Sequence, residues 1–167
     1  MTLALQYWPG VLTMPVSGLL LIGLRTPQGE DRTQARLLVR QALSDVPETI
    51  GASTSISHAS GFSIAAVHRH GAVGIDVMRL NDRLMRDWDV VARDYLGPTA
   101  TARIASSNDD ERACCFAHEW TQREAQLKLL GCGLVEWASA PAMVGVTCWS
   151  LALPEGYVGT VAVRPAL

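Results

Sequence analysis

The sequence predicts an α+β fold. Apolar runs of strand length stand near both ends of the chain, segments with helical spacing of apolar residues lie between them, and turns rich in glycine and proline separate the elements. The 167 residues suggest one domain, 1–167, with room for a sizeable core. Hydrophobic residues make up 49% and charged residues 18%, the balance of a soluble, well-buried globular protein. A net charge of -2 argues against a non-specific nucleic-acid binder, which carries a basic excess.

Val11 to Leu24 are mostly apolar, but Pro15, Ser17 and Gly18 interrupt them. The stretch is too short to span a bilayer, and no basic residue precedes it as in a signal peptide. It predicts a buried strand over Val16 to Leu24, in a cytoplasmic protein with no membrane partner. Residues 26–31 predict a turn and the approach to a helix. Arg32 to Leu43 is that helix, with Ala35, Leu38, Val39 and Ala42 on one side and Arg32, Arg36 and Arg40 on another. The arginine stripe is either a solvated face or a phosphate contact. Asp45 to Ser53 reads as a loop.

Ser55-Ile56-Ser57-His58 precedes a strand over Phe62 to Val67. Arg69-His70-Gly71 supplies a turn, and Ala72 to Val77 returns as a second strand, the signature of a hairpin. Asn81 to Tyr95 predicts a helix ended by Gly97-Pro98. Ser107 and Asp110 have capping-box spacing and open the longest helix. Ala113, Phe116, Ala117, Trp120 and Leu127 mark its buried stripe, and Gly131 and Gly133 close it. Val144 to Leu151 and Tyr157 to Val163 predict a closing antiparallel pair around Pro154-Glu155-Gly156.

Lys128 is the only lysine, beside thirteen arginines. Lysine is a compact point charge suited to holding phosphate, a task arginine does differently. Glu124, one helical turn earlier, stands beside the buried stripe; the pair is either a surface Glu-to-Lys contact or part of a site. Asp76 lies inside the apolar run Gly74-Ile75-Asp76-Val77, where aspartate is depleted. It either caps nearby backbone amides or faces a cation. Two separated carboxylates with few other ligands suit magnesium, which keeps waters and completes its shell with substrate phosphates. Lys128 would then face phosphate oxygens, with Arg32, Arg36 and Arg40 meeting further phosphate. His58 is either structural or a phosphate donor. Cys114, Cys115, Cys132 and Cys148 form no CxxC pair and read as buried free thiols, in preference to a zinc site with His118.

These residues carry a resemblance. Gly74-Ile75-Asp76, then Trp120-Thr121-x-Arg123-Glu124-Ala125-x-x-Lys128, then Gly131-x-Gly133-Leu134 resemble the signatures of the 4'-phosphopantetheinyl transferases. Ser55-Ile56-Ser57-His58 is similar to the family's upstream S-H-S element, and Arg32-Thr33 to an R-T pair in the first helix of Sfp-type members. Gly156-Tyr157 before the last strand also fits the family, and the likeness runs from about residue 30 onward. The resemblance implies transfer of the phosphopantetheine arm of coenzyme A to a serine of an apo acyl or peptidyl carrier protein, with release of 3',5'-adenosine bisphosphate. It implies that Asp76 and Glu124 hold Mg2+, that Glu124 and Lys128 are catalytic, and that Arg32, Thr33, Ser57, His58 and Lys128 bind coenzyme A. The implied fold is a pseudo-dimer of two similar αβ halves, about 1–70 and 71–167, whose antiparallel sheets pack with helices around a site between them. A shortened Sfp-type chain of this kind is expected to be a monomer.

The sequence departs from the family in places. Met78 stands where Sfp-type members often carry a third acidic ligand, and a thioether is a poor magnesium ligand. Arg123 replaces the usual lysine and keeps its charge. No G-K-P element precedes Ser55, and the N-terminal stretch lacks lysines for the 3'-phosphate, with Arg25 as a substitute. Met78 motivates a second reading, a non-catalytic relative that binds a carrier protein or coenzyme A.

Overall fold

The computed structural model describes residues 1–29, 32–46, 51–80 and 87–166. In chain order they form β1 (Thr2–Ala4), β2 (Gln6–Trp8), β3 (Leu19–Arg25), α1 (Thr33–Ser44), β4 (Ser53–Ala59), β5 (Phe62–His68) and β6 (Gly71–Arg79). Then follow α2 (Trp88–Val91) with a π-helical turn (Ala92–Leu96), α3 (Pro98–Ser106), α4 (Asp109–Leu129), β7 (Thr147–Ala152) and β8 (Tyr157–Pro165). The strands make two four-stranded sheets, ordered β2-β3-β5-β4 and β1-β7-β8-β6. The fold is α+β as the sequence predicts. Both sheets are antiparallel except at one edge each, where β2 runs parallel to β3 and β1 parallel to β7.

Alternation along the strands sends one set of side chains inward and the other outward. Leu21, Ile64, Ala66, Val73, Ile75, Val77, Val161 and Val163 meet in a core between the two sheets. Leu20, Ile22, Leu24, Ala65 and Val67 face the other way and pack under Val39 and Ala42 of α1. On the opposite sheet α4 is the cover: Ala125 and Leu129 lie against Ala162, and Trp120 packs with Met78 and Val158. The N-terminal segment contributes to both sheets, with Leu5 between β1 and β2 buried in the central core.

Several sequence expectations need correction. The hairpin of Phe62–Val67 with Ala72–Val77 does not form. Both edges of β5 are taken, by β3 and β4, and β6 pairs with β8 instead. The other edge of β6 meets β4 through side chains. Ser53, Ser55 and Ser57 accept the N–H groups of Val73, Ile75 and Val77 at 3.2, 3.1 and 3.2 Å. These hydroxyls satisfy amides that would otherwise be stranded between the sheets. The strand predicted from Val16 starts at Leu19, because Gly18, at φ 74°, closes a turn by donating to the Pro15 carbonyl at 2.8 Å. Residues 81–86 of the helix predicted over 81–95 lie outside the described residues, as do parts of the predicted turn before α1 and of the loop before β4. Pro98 opens α3, unforeseen, at the first helical position where its missing N–H costs nothing. The cap of α4 is Asn108, whose side chain accepts from Glu111 N–H at 2.9 Å, while Ser107 turns back to the Ile104 carbonyl. Among the described residues no helix is long and apolar enough to cross a membrane.

Gly74 explains how closely α4 lies on its sheet. A Cβ there would stand 1.9 Å from the Ala125 carbonyl oxygen and 2.5 Å from the Leu129 amide nitrogen. Both obstacles are backbone, so the helix itself would have to lift. Gly74→Ala is expected to destabilise the chain by about 1–3 kcal/mol or more. It should also displace Glu124 and Lys128, which ride on that part of α4. An unchanged denaturation midpoint would show that the helix yields freely.

Candidate functional site

Asp76 is the centre of the site. Gly74, Asp76 and Met78 share the face of β6 that α4 covers, because side chains alternate along a strand. Asp76 is 6% exposed. Lys128 Nζ donates to its Oδ1 at 2.7 Å and to the Ile75 carbonyl at 3.2 Å. Ser57 Oγ donates to the same Oδ1 at 2.7 Å while accepting from Val77 N–H at 3.2 Å. Both side-chain donors fall on Oδ1, so the second carboxylate oxygen takes neither of them. Burial pushes the Asp76 carboxyl above the ordinary range, with Lys128 and Ser57 opposing that push.

Glu124 stands one turn before Lys128 on α4 and half-buried. Burial raises its pKa first and the neighbouring Asp76 second, against the pull of Lys128 and Arg123. Two carboxylates thus share a partly dry space with a single lysine. Asp76, Glu124, Lys128, Ser57, His58 and Arg32 line one cleft of about 460 Å³, together with Met78 and Trp120. The cleft therefore draws on α4, β6, β4 and the residue just before α1.

His58 is oriented from behind. Its Nδ1 lies 2.8 Å from Ser63 Oγ, and Ser63 donates its one hydroxyl proton to Thr26 at 3.2 Å. This contact fixes the ring orientation and leaves Nε2 free of it. Burial lowers the His58 pKa from 6.5, and Arg32, Arg36 and Lys128 lower it further. A smaller pocket of about 240 Å³, lined by Arg36, Arg40, Val39, Ile56 and His58, adjoins the cleft along β4.

Of the residues singled out in the sequence, Arg32, Ser57, His58, Asp76, Glu124 and Lys128 converge here. Thr33, the first residue of α1, does not line the cleft, and neither does Arg25 at the exposed end of β3. Trp120, read as core, also walls the cleft, and its spacing of four from Glu124 already put it on that face. Ser63 and Thr26 were not foreseen; strand register, not local spacing, sets Ser63 opposite His58.

The donor chemistry fits a hard divalent cation. Two carboxylates offer hard oxygen; burial disfavours the charge of each, and Asp76 adds to the push on Glu124, so a cation between them would be favoured. Met78 packs instead with Ala92, Leu96 and Phe116. Among the described residues no group of three or more His, Cys, Asp or Glu is disposed to hold a metal, so a cation here would take its remaining oxygens from water or ligand.

An acid pair, a lysine, an arginine and a histidine gather in one cleft of this α+β fold. The sequence profile of the 4'-phosphopantetheinyl transferase superfamily matches residues 72–155, and the chain belongs to that superfamily. The matched span holds Asp76, Glu124 and Lys128, while Arg32, Ser57 and His58 lie before it. No curated protein matches the chain.

Proposed function

We propose that the protein transfers the 4'-phosphopantetheine arm of coenzyme A to a serine of an apo acyl or peptidyl carrier protein, releasing 3',5'-adenosine bisphosphate. The observation that carries this reading is the Asp76–Lys128 pair at 2.7 Å beside Glu124, inside a cleft that also holds Arg32 and His58. Phosphoryl transfer is largely positioning and neutralisation of charge on oxygens, and this set supplies both. Asp76 and Glu124 are the residues to hold Mg2+, which would polarise the pyrophosphate and offset its developing charge. Lys128 meets a pyrophosphate oxygen; the carrier serine oxygen bonds to the phosphorus of the phosphopantetheine arm, its proton passes to solvent, and the bond to 3',5'-adenosine bisphosphate breaks. Ser57 keeps Asp76 in place. Arg32 and His58 bind the nucleotide end of coenzyme A, and Arg36 and Arg40, in the adjoining pocket, answer its 3'-phosphate. The chain acts as one domain, 1–167, of two halves meeting near residue 70, as a monomer in the cytoplasm, where its four cysteines remain free thiols.

The test is mass spectrometry of a panel of apo carrier proteins incubated with the protein, coenzyme A and Mg2+. A gain of the phosphopantetheine mass on the carrier serine is expected. No gain on any carrier, with coenzyme A binding that ignores Mg2+, would replace this reading with that of a non-catalytic relative.

His58 yields a second expected result. Its imidazolium form donates from both ring nitrogens and adds a positive charge, so it binds a phosphate oxygen better than the neutral ring does. Coenzyme A binding should therefore take up a proton, and affinity should rise as pH falls from neutrality through the bound-state pKa, by up to about tenfold per unit. His58→Ala should flatten that slope. Calorimetry in buffers of different ionisation enthalpy reads the proton directly, and an equal slope in the variant would remove His58 from the phosphate.

A further inference from the structure

Glu124 and Arg123 are consecutive on α4 and face different clefts. A second cleft of about 560 Å³ lies between α3, α4 and the loop around Trp137. Arg123 lines it and is only 4% exposed. Its guanidinium sits over the Trp137 ring, 5.1 Å from the ring centre. That ring is itself wedged against Gly97, where a Cβ would come within 2.4 Å of it. Arg123 Nε and Nη2 are buried and find no hydrogen-bond partner among the described residues. The other cation in the cleft, Arg103, is already engaged by Glu119. Among the described residues that line this cleft, Arg123 is thus the cation with no acid paired to it inside the cleft; Glu124, its neighbour on α4, acts on it from the other cleft.

The two unpartnered nitrogens are informative as a pair. Nε and Nη2 form one edge of the guanidinium fork, spaced to meet both oxygens of one carboxylate. A buried guanidinium edge without an acceptor is costly, so the arrangement favours a ligand that brings one. With Arg103 committed to Glu119, one unpaired positive charge suits a monoanion better than a phosphate dianion. Leu96, Ala142 and Met143 give the rest of the cleft an apolar wall, and Gln122 and Gln126 add polar groups from α4. The volume falls within the roughly 300–1,000 Å³ of small-molecule sites.

We propose that this cleft is a second binding site, for a small organic acid whose carboxylate is taken by the Nε–Nη2 edge of Arg123 and whose apolar body lies against Leu96, Ala142 and Met143. The cleft is separate from the one that holds Asp76 and Lys128, although Arg123 also acts on the charge of its neighbour Glu124.

Calorimetric titration of the full chain with hexanoate tests it, with hexanamide as the uncharged match. Saturable binding of one hexanoate per chain is expected, with no binding of hexanamide. Arg123→Met, which keeps the apolar stem, should weaken hexanoate by about tenfold or more. Ala142→Trp, on the exposed loop and filling the cleft, should do the same without touching the guanidinium. Absence of saturable binding at tens of millimolar hexanoate, equal binding of hexanamide, or unchanged affinity in either folded variant would overturn the proposal. So would an acidic peptide that binds through Arg123 where hexanoate does not, which would assign the cleft to a protein partner.

Discussion

Glu124→Gln is expected to lower phosphopantetheine transfer by about 10²–10³-fold while the chain stays folded. The substitution is nearly isosteric and removes a charge that burial and Asp76 both disfavour. Stability at neutral pH should therefore hold or rise. Transfer should fall because glutamine is a weaker oxygen donor and no longer neutralises Mg2+. A second readout separates this from a folding defect. Mg2+ should raise the melting temperature of the wild-type chain, and that gain should shrink in the variant. The pH dependence has a definite sign as well. A carboxyl whose pKa is raised on folding binds its proton more tightly in the folded state. Its ionised form thus weakens the fold at neutral pH, and stability returns as pH falls through the folded-state pKa toward the ordinary carboxylate value. Glu124 and Asp76 both act in this sense. His58, with its pKa lowered, acts oppositely below 6.5, where the unfolded chain takes the proton more readily. Comparing wild type with Glu124→Gln isolates the glutamate part, and the variant should gain less on mild acidification. Turnover near wild type would remove Glu124 from the reaction.

Lys128→Met should be the more damaging change to the fold. Asp76 is buried, and Lys128 is its one cationic partner within 4.0 Å among the described residues. Removing the ammonium leaves Asp76 with Ser57 and a backbone amide. Breaking a buried pair on one side costs about 3–5 kcal/mol, and the ability of Asp76 to take up a proton caps this at about 2–4 kcal/mol near neutral pH. The double variant Asp76→Asn with Lys128→Met should recover much of that loss, since both charges are then gone. Neither variant should transfer phosphopantetheine. Denaturant titrations of the two single variants and the double one complete the cycle. A Lys128→Met chain as stable as wild type, or a double variant no more stable than it, would show that the pair carries little coupling.

Much of the candidate site was legible because its signals are local. Helical spacing put Trp120, Glu124 and Lys128 on one face, and a lone aspartate in the apolar run of β6 announced a buried charge in need of partners. The same locality explains the errors. A turn between two apolar runs reads as a hairpin, but whether β5 and β6 pair depends on competition from β3, β4 and β8 for the same backbone groups. Asn108 displaced Ser107 as the cap of α4 by one residue, a margin that spacing alone does not resolve.

The sequence by itself determined the α+β class, the helix that carries Glu124 and Lys128, and the strand that carries Asp76, because period and composition act over a few residues. Only the tertiary structure decided that Lys128 reaches across 52 positions to Asp76, that alternate serines of β4 hold the free edge of β6, and that Arg123 turns into a different cleft from its neighbour Glu124. Those facts depend on which surfaces meet, and burial, which raises the pKa of Asp76 and Glu124, exists only once they have met.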